Sequence, residues 1–309
     1  MTEILRTDML PKPLYRGLKA LTLAWPGERV SKESLLIKIH NLANAKKPPL
    51  IWVGGPVELN ALIQTVGAER TIYGMRGTFD FADPTEAVID LLSEYYTQEI
   101  LHHIPNQPYC LAANCDAAYI IMEIGRRLTE RGHKVVFTGL VELDLTEVTT
   151  ELSFAKKIFK ITDRLGRAYY KTRNYFENVP FSIGVQTLLR QLGFRKKTKK
   201  IDSRNAIMYS DLTTSPLYSI KPYPTDINLI YIRWGGFGYV QFERFKNYWR
   251  KLCKGSVTTD IISGWSHEFP NWNAITKKLN ERMNAVGLNF FLMLDWQSQP
   301  CFQSALWAI

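Results

Sequence analysis

Pro108-Tyr109-Cys110-Leu111-Ala112-Ala113-Asn114-Cys115-Asp116-Ala117-Ala118 is the stretch on which the fold turns. Tyr109 to Ala112 is a short apolar run behind a proline, the pattern of a buried strand. Residues 116–130 then place Ala118, Ile121, Met122, Gly125 and Leu128 at helical spacing, which gives a helix one apolar face. Arg131-Gly132-His133 ends that helix, and Val135 to Val141 is a second buried strand rich in β-branched residues. Strand, helix and strand joined by tight turns make the βαβ unit of a parallel sheet, because parallel neighbours need a crossover. The class is therefore α/β, with a mostly parallel central sheet flanked by helices.

The alternation extends in both directions. Lys46-Lys47-Pro48-Pro49 breaks the chain before Leu50-Ile51-Trp52-Val53, another buried strand, which Gly54-Gly55-Pro56 stops. A helix is expected from Leu59 to Gly67, then a strand at Thr71-Ile72-Tyr73, then a long helix capped by Asp83 or Thr85 and running to about His103. Residues 1–47 read as an irregular N-terminal extension with one helix, Lys32 to Ala45. Residues 146–222 are helical in composition and end in the proline-rich Pro216 to Pro224. Strands return at Ile227 to Trp234 and near Val257 to Ile262, and a helix from Trp272 to Met283 closes the regular part. The domain is bounded at 48–285. The tail, 286–309, is aromatic and apolar without a clear period, and no internal repeat is visible.

The chain has 309 residues, 46% hydrophobic and 22% charged, which excludes the disordered class. With 39 Lys+Arg against 29 Asp+Glu the net charge is +10, so negatively charged partners are favoured. Nucleic acid is disfavoured among them: the run Arg195-Lys196-Lys197-Thr198-Lys199-Lys200 lacks the interleaved aromatics on which single strands stack. Cys110, Cys115, Cys253 and Cys301 form no C-x-x-C pair and show no zinc spacing, so no metal site is expected. Met1 to Pro11 lacks an apolar signal core. Leu288 to Leu294 falls far short of the roughly 20 residues that cross a bilayer. A cytoplasmic protein with free thiols and no membrane partner is the expectation.

Reactive groups in alternating α/β proteins gather at the carboxyl ends of the strands. The first such end carries Cys115, flanked two positions either side by the small residues Ala113 and Ala117, at the start of a helix whose amide dipoles favour a thiolate. A small cysteine packed in a strand–helix turn would show the same local pattern. The second end carries Glu142, with Asp144 two residues later as an alternative acid; a carboxylate there orients a histidine or simply ends a strand in solvent. The third is Gly264-Trp265-Ser266-His267-Glu268-Phe269. Of five histidines, His40 and His102-His103 read as helical, and His133 precedes a strand; only His267 follows a strand in a glycine-containing loop.

Nucleophile, acid and histidine in that order is the order of the α/β-hydrolases. In that arrangement Cys115 attacks an acyl carbonyl, His267 takes its proton and later activates the acceptor, and Glu142 holds the imidazole tautomer. The oxyanion would be held by the backbone N–H of Asp116 and one from the Gly54-Gly55-Pro56-Val57 loop. Pro56 has no N–H, which leaves Gly55 or Val57.

From Pro48 to about Ala285 the chain resembles the thioesterase domains of nonribosomal peptide and polyketide synthases, a branch of the α/β-hydrolases. The resemblance is carried by Pro49 to Gly55, Thr71-Ile72-Tyr73-Gly74, and Pro108-Tyr109-Cys110-Leu111 running through to Glu123-Ile124-Gly125-Arg126-Arg127-Leu128. Gly132-His133-Lys134-Val135-Val136, Tyr248-Trp249 and Gly264 to Phe269 extend it. The sequence departs from the family pattern G-x-S-x-G in having alanine for both glycines and cysteine for serine; the usual Asp is Glu142, and the first loop lacks a His-Pro or His-Gly pair.

The resemblance implies a helical lid over about 146–222 and an acyl or peptidyl thioester substrate on the phosphopantetheine arm of an acidic carrier protein, with no cofactor of the enzyme's own. The basic run holding Arg195, Lys196 and Lys197 is either a solvated helix end or a dock for that carrier. A cysteine keeps the acyl group as a thioester, which suits transfer to a small-molecule amine, hydroxyl or thiol. A hydrolytic thioesterase and a catalytically inactive hydrolase-type binding module are the alternatives.

Overall fold

The computed structural model describes residues 9–77, 84–105, 107–142, 216–233, 239–263 and 271–298. In chain order the elements are α1 (Lys12–Leu21), β1 (Glu28–Arg29), β2 (Ile37–His40), β3 (Leu50–Gly54), α2 (Leu59–Thr65), β4 (Ile72–Arg76) and α3 (Glu86–His103). They continue with β5 (Tyr109–Asn114), α4 (Ala117–Glu130), β6 (Val135–Val141), β7 (Ile227–Arg233), α5 (Tyr239–Leu252), β8 (Val257–Ser263) and α6 (Trp272–Ser298). Among the described residues no helix is long and apolar enough to cross a membrane.

The strands form one sheet in the order β1-β2-β4-β3-β5-β6-β7-β8. β2 runs antiparallel to β1 and β4, and all other pairs are parallel. This is the mostly parallel α/β-hydrolase sheet expected from the sequence. The chain leaves β3 for β4 on one side and then crosses to β5 on the other, so the strand order reverses between β3 and β5. In open α/β sheets ligands bind outside the carboxyl ends of the strands where the order reverses, which makes the ends of β3 and β5, at Gly54 and Asn114, the candidate place for a site.

Period-2 alternation sends successive side chains to opposite faces. Ile51, Val53, Tyr109, Leu111 and Ala113 meet α1, α3, α4 and Trp249 of α5 on one face. Leu50, Trp52, Cys110 and Ala112 meet α2 and Ile275, Leu279 and Met283 of α6 on the other. Burial on both faces is why β3 and β5 read as unbroken apolar runs.

Two expectations need correction. The helix expected over Lys32 to Ala45 is instead strand β2, whose Ile37-Lys38-Ile39-His40 alternates buried and half-buried. The cause is a buried anchor. Glu99 of α3, with 0% exposure, accepts hydrogen bonds from the Ser34 hydroxyl, the Leu35 N–H at 3.0 Å and the Tyr95 hydroxyl at 2.8 Å. That anchor ties residues 34–36 down in an extended form. Residues before 48 thus supply two strands and the buried Leu10, Leu14 and Leu18 to the same fold. The last helix also outruns its expected end at Met283 and continues to Ser298. The cap of α3 is Thr85, whose side chain accepts from Val88 N–H.

Pro216, the first described residue after Glu142, lies beside the start of α3: Glu86 N–H donates to Pro216 O and Tyr218 N–H to Pro84 O. Tyr218 donates its hydroxyl to the buried Glu123 of α4, and Tyr223 shares a 2.7 Å hydrogen bond with Thr138 of β6. Burial pushes the Glu123 carboxyl up, but hydrogen bonds from Arg126 and Tyr218 outweigh it and leave it below the usual carboxylate range. The expected lid lies outside the described residues apart from 216–222.

Gly125 explains itself here. A Cβ on it would lie 2.1 Å from the Tyr223 hydroxyl. Gly125→Ala would gain about 1 kcal/mol of helix propensity and lose about 1–3 kcal/mol to overpacking. Because Tyr223 is 1% exposed and held by Thr138, overpacking wins, and a urea midpoint should fall.

Candidate active site

β5 ends at Asn114, and the chain reverses into α4 within two residues. To do so Cys115 takes φ 51, a left-handed conformation that costs a non-glycine residue about 1–3 kcal/mol. The bend is held on both sides. Cys115 N–H donates to Val141 O at 2.9 Å, and Ala118 N–H donates to Cys115 O at 2.9 Å. Ala113 and Ala117 are buried, and a Cβ on Gly77 would sit 2.9 Å from the Ala117 methyl. A side chain on Gly77, in the loop after β4, would therefore crowd Ala117. Cys115 itself is half-buried, and its thiol faces Asn114 Oδ1 at 3.3 Å.

Glu142 ends β6 in the neighbouring position. Asn114 and Val141 are register partners, so Cys115 and Glu142 occupy adjacent strand ends. Glu142 is also left-handed, at φ 52, and is 6% exposed. Its N–H donates to Ile230 O at 2.9 Å, and its carboxyl accepts from Ile232 N–H, so backbone and side chain are both fastened to β7. Two left-handed non-glycine residues at adjacent strand ends, one a thiol and one a carboxyl, mark a candidate site.

β3 is the other neighbour of β5, and the loop that follows it carries the proposed oxyanion donors Gly55 and Val57. Gly55 N–H donates to Glu58 Oε1 at 2.8 Å, while Val57 is 72% exposed at the rim. Glu58 is 2% exposed and faces Arg76, which is 8% exposed and donates to Gly54 O at 3.1 Å. Burial pulls the Arg76 guanidinium below its usual value, and Glu58 and Tyr96 act in the opposite direction. Asp116, whose N–H is the other proposed donor, opens α4. The Glu58–Arg76 pair was not found in the sequence, because its members meet only when β4 lies beside β3.

His267, Asp144, Arg195, Lys196, Lys197 and Cys301 lie outside the described residues. His40 lies in β2 rather than a helix, and His102 and His103 close α3.

The remaining described thiols differ from Cys115. Cys110 is buried against Arg70, at 3.3 Å, and burial pushes its thiol up to about 11. Cys253 donates to Thr225 O at 2.8 Å and is likewise pushed up to about 11 by burial. Near neutral pH fewer than about one in a thousand of such thiols is ionised. Iodoacetamide should therefore label Cys115 well ahead of Cys110 and Cys253, measured by peptide mapping over a time course.

No protein-family model matches the chain, and no curated protein sequence does. Among solved structures it is similar to YbtT, a type II thioesterase from the yersiniabactin NRPS/PKS biosynthetic pathway, with 13% identity and a TM-score of 0.47 over 82% of this chain and 99% of that one. It is also similar to the NocB thioesterase domain from the nocardicin cluster, with 14% identity and a TM-score of 0.47 over 76% and 94%. The wild-type Vlm2 thioesterase domain shows 15% identity and a TM-score of 0.43 over 80% and 96%. Neither the identities nor the scores carry an activity over to this chain.

Proposed function

We propose that this protein is a thioesterase-like acyltransferase that works through an acyl-Cys115 intermediate. The observation that carries the reading is the left-handed Cys115 at the end of β5, beside the left-handed, buried Glu142 at the end of β6. The donor is an acyl or peptidyl thioester on the phosphopantetheine arm of an acidic carrier protein. The acceptor is an amine, hydroxyl or thiol.

His267 takes the Cys115 proton, and the sulfur attacks the thioester carbonyl. Backbone N–H groups at the start of α4 and in the loop after β3 meet the charge on the carbonyl oxygen. The bond to the pantetheine sulfur breaks, and that thiol leaves with the proton from His267. The acceptor then repeats the sequence in reverse, attacking the acyl-cysteine as His267 takes its proton, and Cys115 is released. Because both donor and intermediate are thioesters, the first exchange is close to isoenergetic and the acyl group stays reactive.

The test uses an acyl N-acetylcysteamine thioester with an added amine or thiol, and separates the transfer product from free acid. The proposal expects transfer product to exceed free acid, and expects both to need Cys115. Free acid alone would make the protein a hydrolase. A second reading, a catalytically inactive scaffold that binds carrier proteins, is favoured by one observation: Glu58 occupies the Gly55 N–H. No Cys115-dependent product from any donor would select it.

A further inference from the structure

The position of Glu58 is set by the geometry of one peptide unit. Gly54 O accepts from Gly77 N–H at 3.2 Å and from Arg76, so this carbonyl points toward β4. No described peptide is cis. In a trans peptide the N–H points opposite to the carbonyl, so Gly55 N–H points away from β4, toward the β5 side. The ladder agrees: Pro49 O accepts from Cys110 N–H on β5, whereas Leu50 N–H donates to Thr71 O on the β4 side. Odd-numbered N–H groups of β3 therefore face β5. The rung after Val53↔Ala113 belongs to Gly55, at the level where β5 gives way to the Cys115 bend.

That N–H has the direction an oxyanion donor needs, and a carboxyl oxygen already sits on it at 2.8 Å. The carboxyl group is held there. A Cβ on Gly54 would lie 2.5 Å from Glu58 Oε1, and one on Gly55 would lie 2.9 Å from Arg76 Nη1 and 3.6 Å from Glu58 Oε2. A side chain at 54 or 55 would crowd this pair in its present position. One peptide unit thus has a guanidinium at its carbonyl and a carboxyl group at its N–H.

We propose that Glu58 is a positioning residue that occupies the oxyanion site of the resting enzyme, with Arg76 as its counter-charge, and so limits how fast Cys115 is acylated. The inference rests on the acyl-cysteine reading above. It predicts that acylation proceeds on one donor, or only after Glu58 withdraws from Gly55. Alkylation of the same sulfur builds no oxyanion and is indifferent to Glu58.

The experiment measures two rate constants at Cys115, acylation by an N-acetylcysteamine thioester and alkylation by iodoacetamide, in the full chain, Glu58→Ala and Glu58→Gln. Removing an oxyanion donor typically costs 10²–10³ in rate, so freeing one in Glu58→Ala should speed acylation by about 10²-fold with alkylation unchanged. Glu58→Gln, which keeps the shape and loses the negative charge, should show a smaller rise and decides the matter if Glu58→Ala does not fold. Unchanged or slower acylation in both folded variants, with wild type acylated, overturns the inference and leaves the acyl-cysteine reading intact. Acylation in neither wild type nor variants overturns both. Acylation seen only in the variants supports the inference in its strongest form.

Discussion

Cys115→Ala is expected to slow acyl transfer from a thioester donor by about 10⁵–10⁶-fold, the scale seen when the nucleophile of such a triad is removed. The residue occupies a bend that costs free energy, which neighbouring backbone bonds to Val141 and Ala118 sustain. Alanine tolerates that bend no better than cysteine, so stability should change little while chemistry is lost. Cys115→Ser is the more informative partner. It keeps the shape but turns the incoming thioester into an oxygen ester, which is less reactive toward acceptors. An acyl-enzyme should then build up, with the second half-reaction slowed more than the first. Single-turnover measurement of acylation and deacylation separates the two steps.

Glu142→Gln is expected to lower turnover by about 10³–10⁴-fold, the scale of neutralising a triad acid. The amide oxygen can still accept from Ile232 N–H, so the link between β6 and β7 survives and the fold should hold. What goes is the charge that, in the proposed mechanism, steadies an imidazolium on His267. Asp144→Asn should leave the rate unchanged; the reverse pattern, with Asp144 essential and Glu142 dispensable, would move the acid two residues along the chain. Steady-state kcat and KM of both variants, with melting curves, make the comparison.

The parts of the fold that could be read in advance are those where local pattern and tertiary burial agree. β3, β5 and β6 are apolar on both faces, and α4 has one apolar face, so each periodicity survives in one dimension. The bend at Cys115 was legible because small residues flank it, and the structure buries both Ala113 and Ala117 there. What could not be read depends on partners distant in sequence. Ser34-Leu35-Leu36 looks helical until Glu99 captures it. The C-terminal part of α6 carries Gly287, a residue that costs a helix about 1 kcal/mol, and an aromatic run without period. Glu58 opens a helix like many acidic residues; its place on Gly55 appears only once Arg76 stands beside it.

The most direct measurement is the intact mass of the protein after brief exposure to an acyl N-acetylcysteamine thioester, followed by peptide mapping. One added acyl group per chain, located on the peptide holding Cys115 and missing in Cys115→Ala, is the predicted result. An unchanged mass, with donor consumed equally by wild type and Cys115→Ala, or an adduct confined to any other residue, would contradict it.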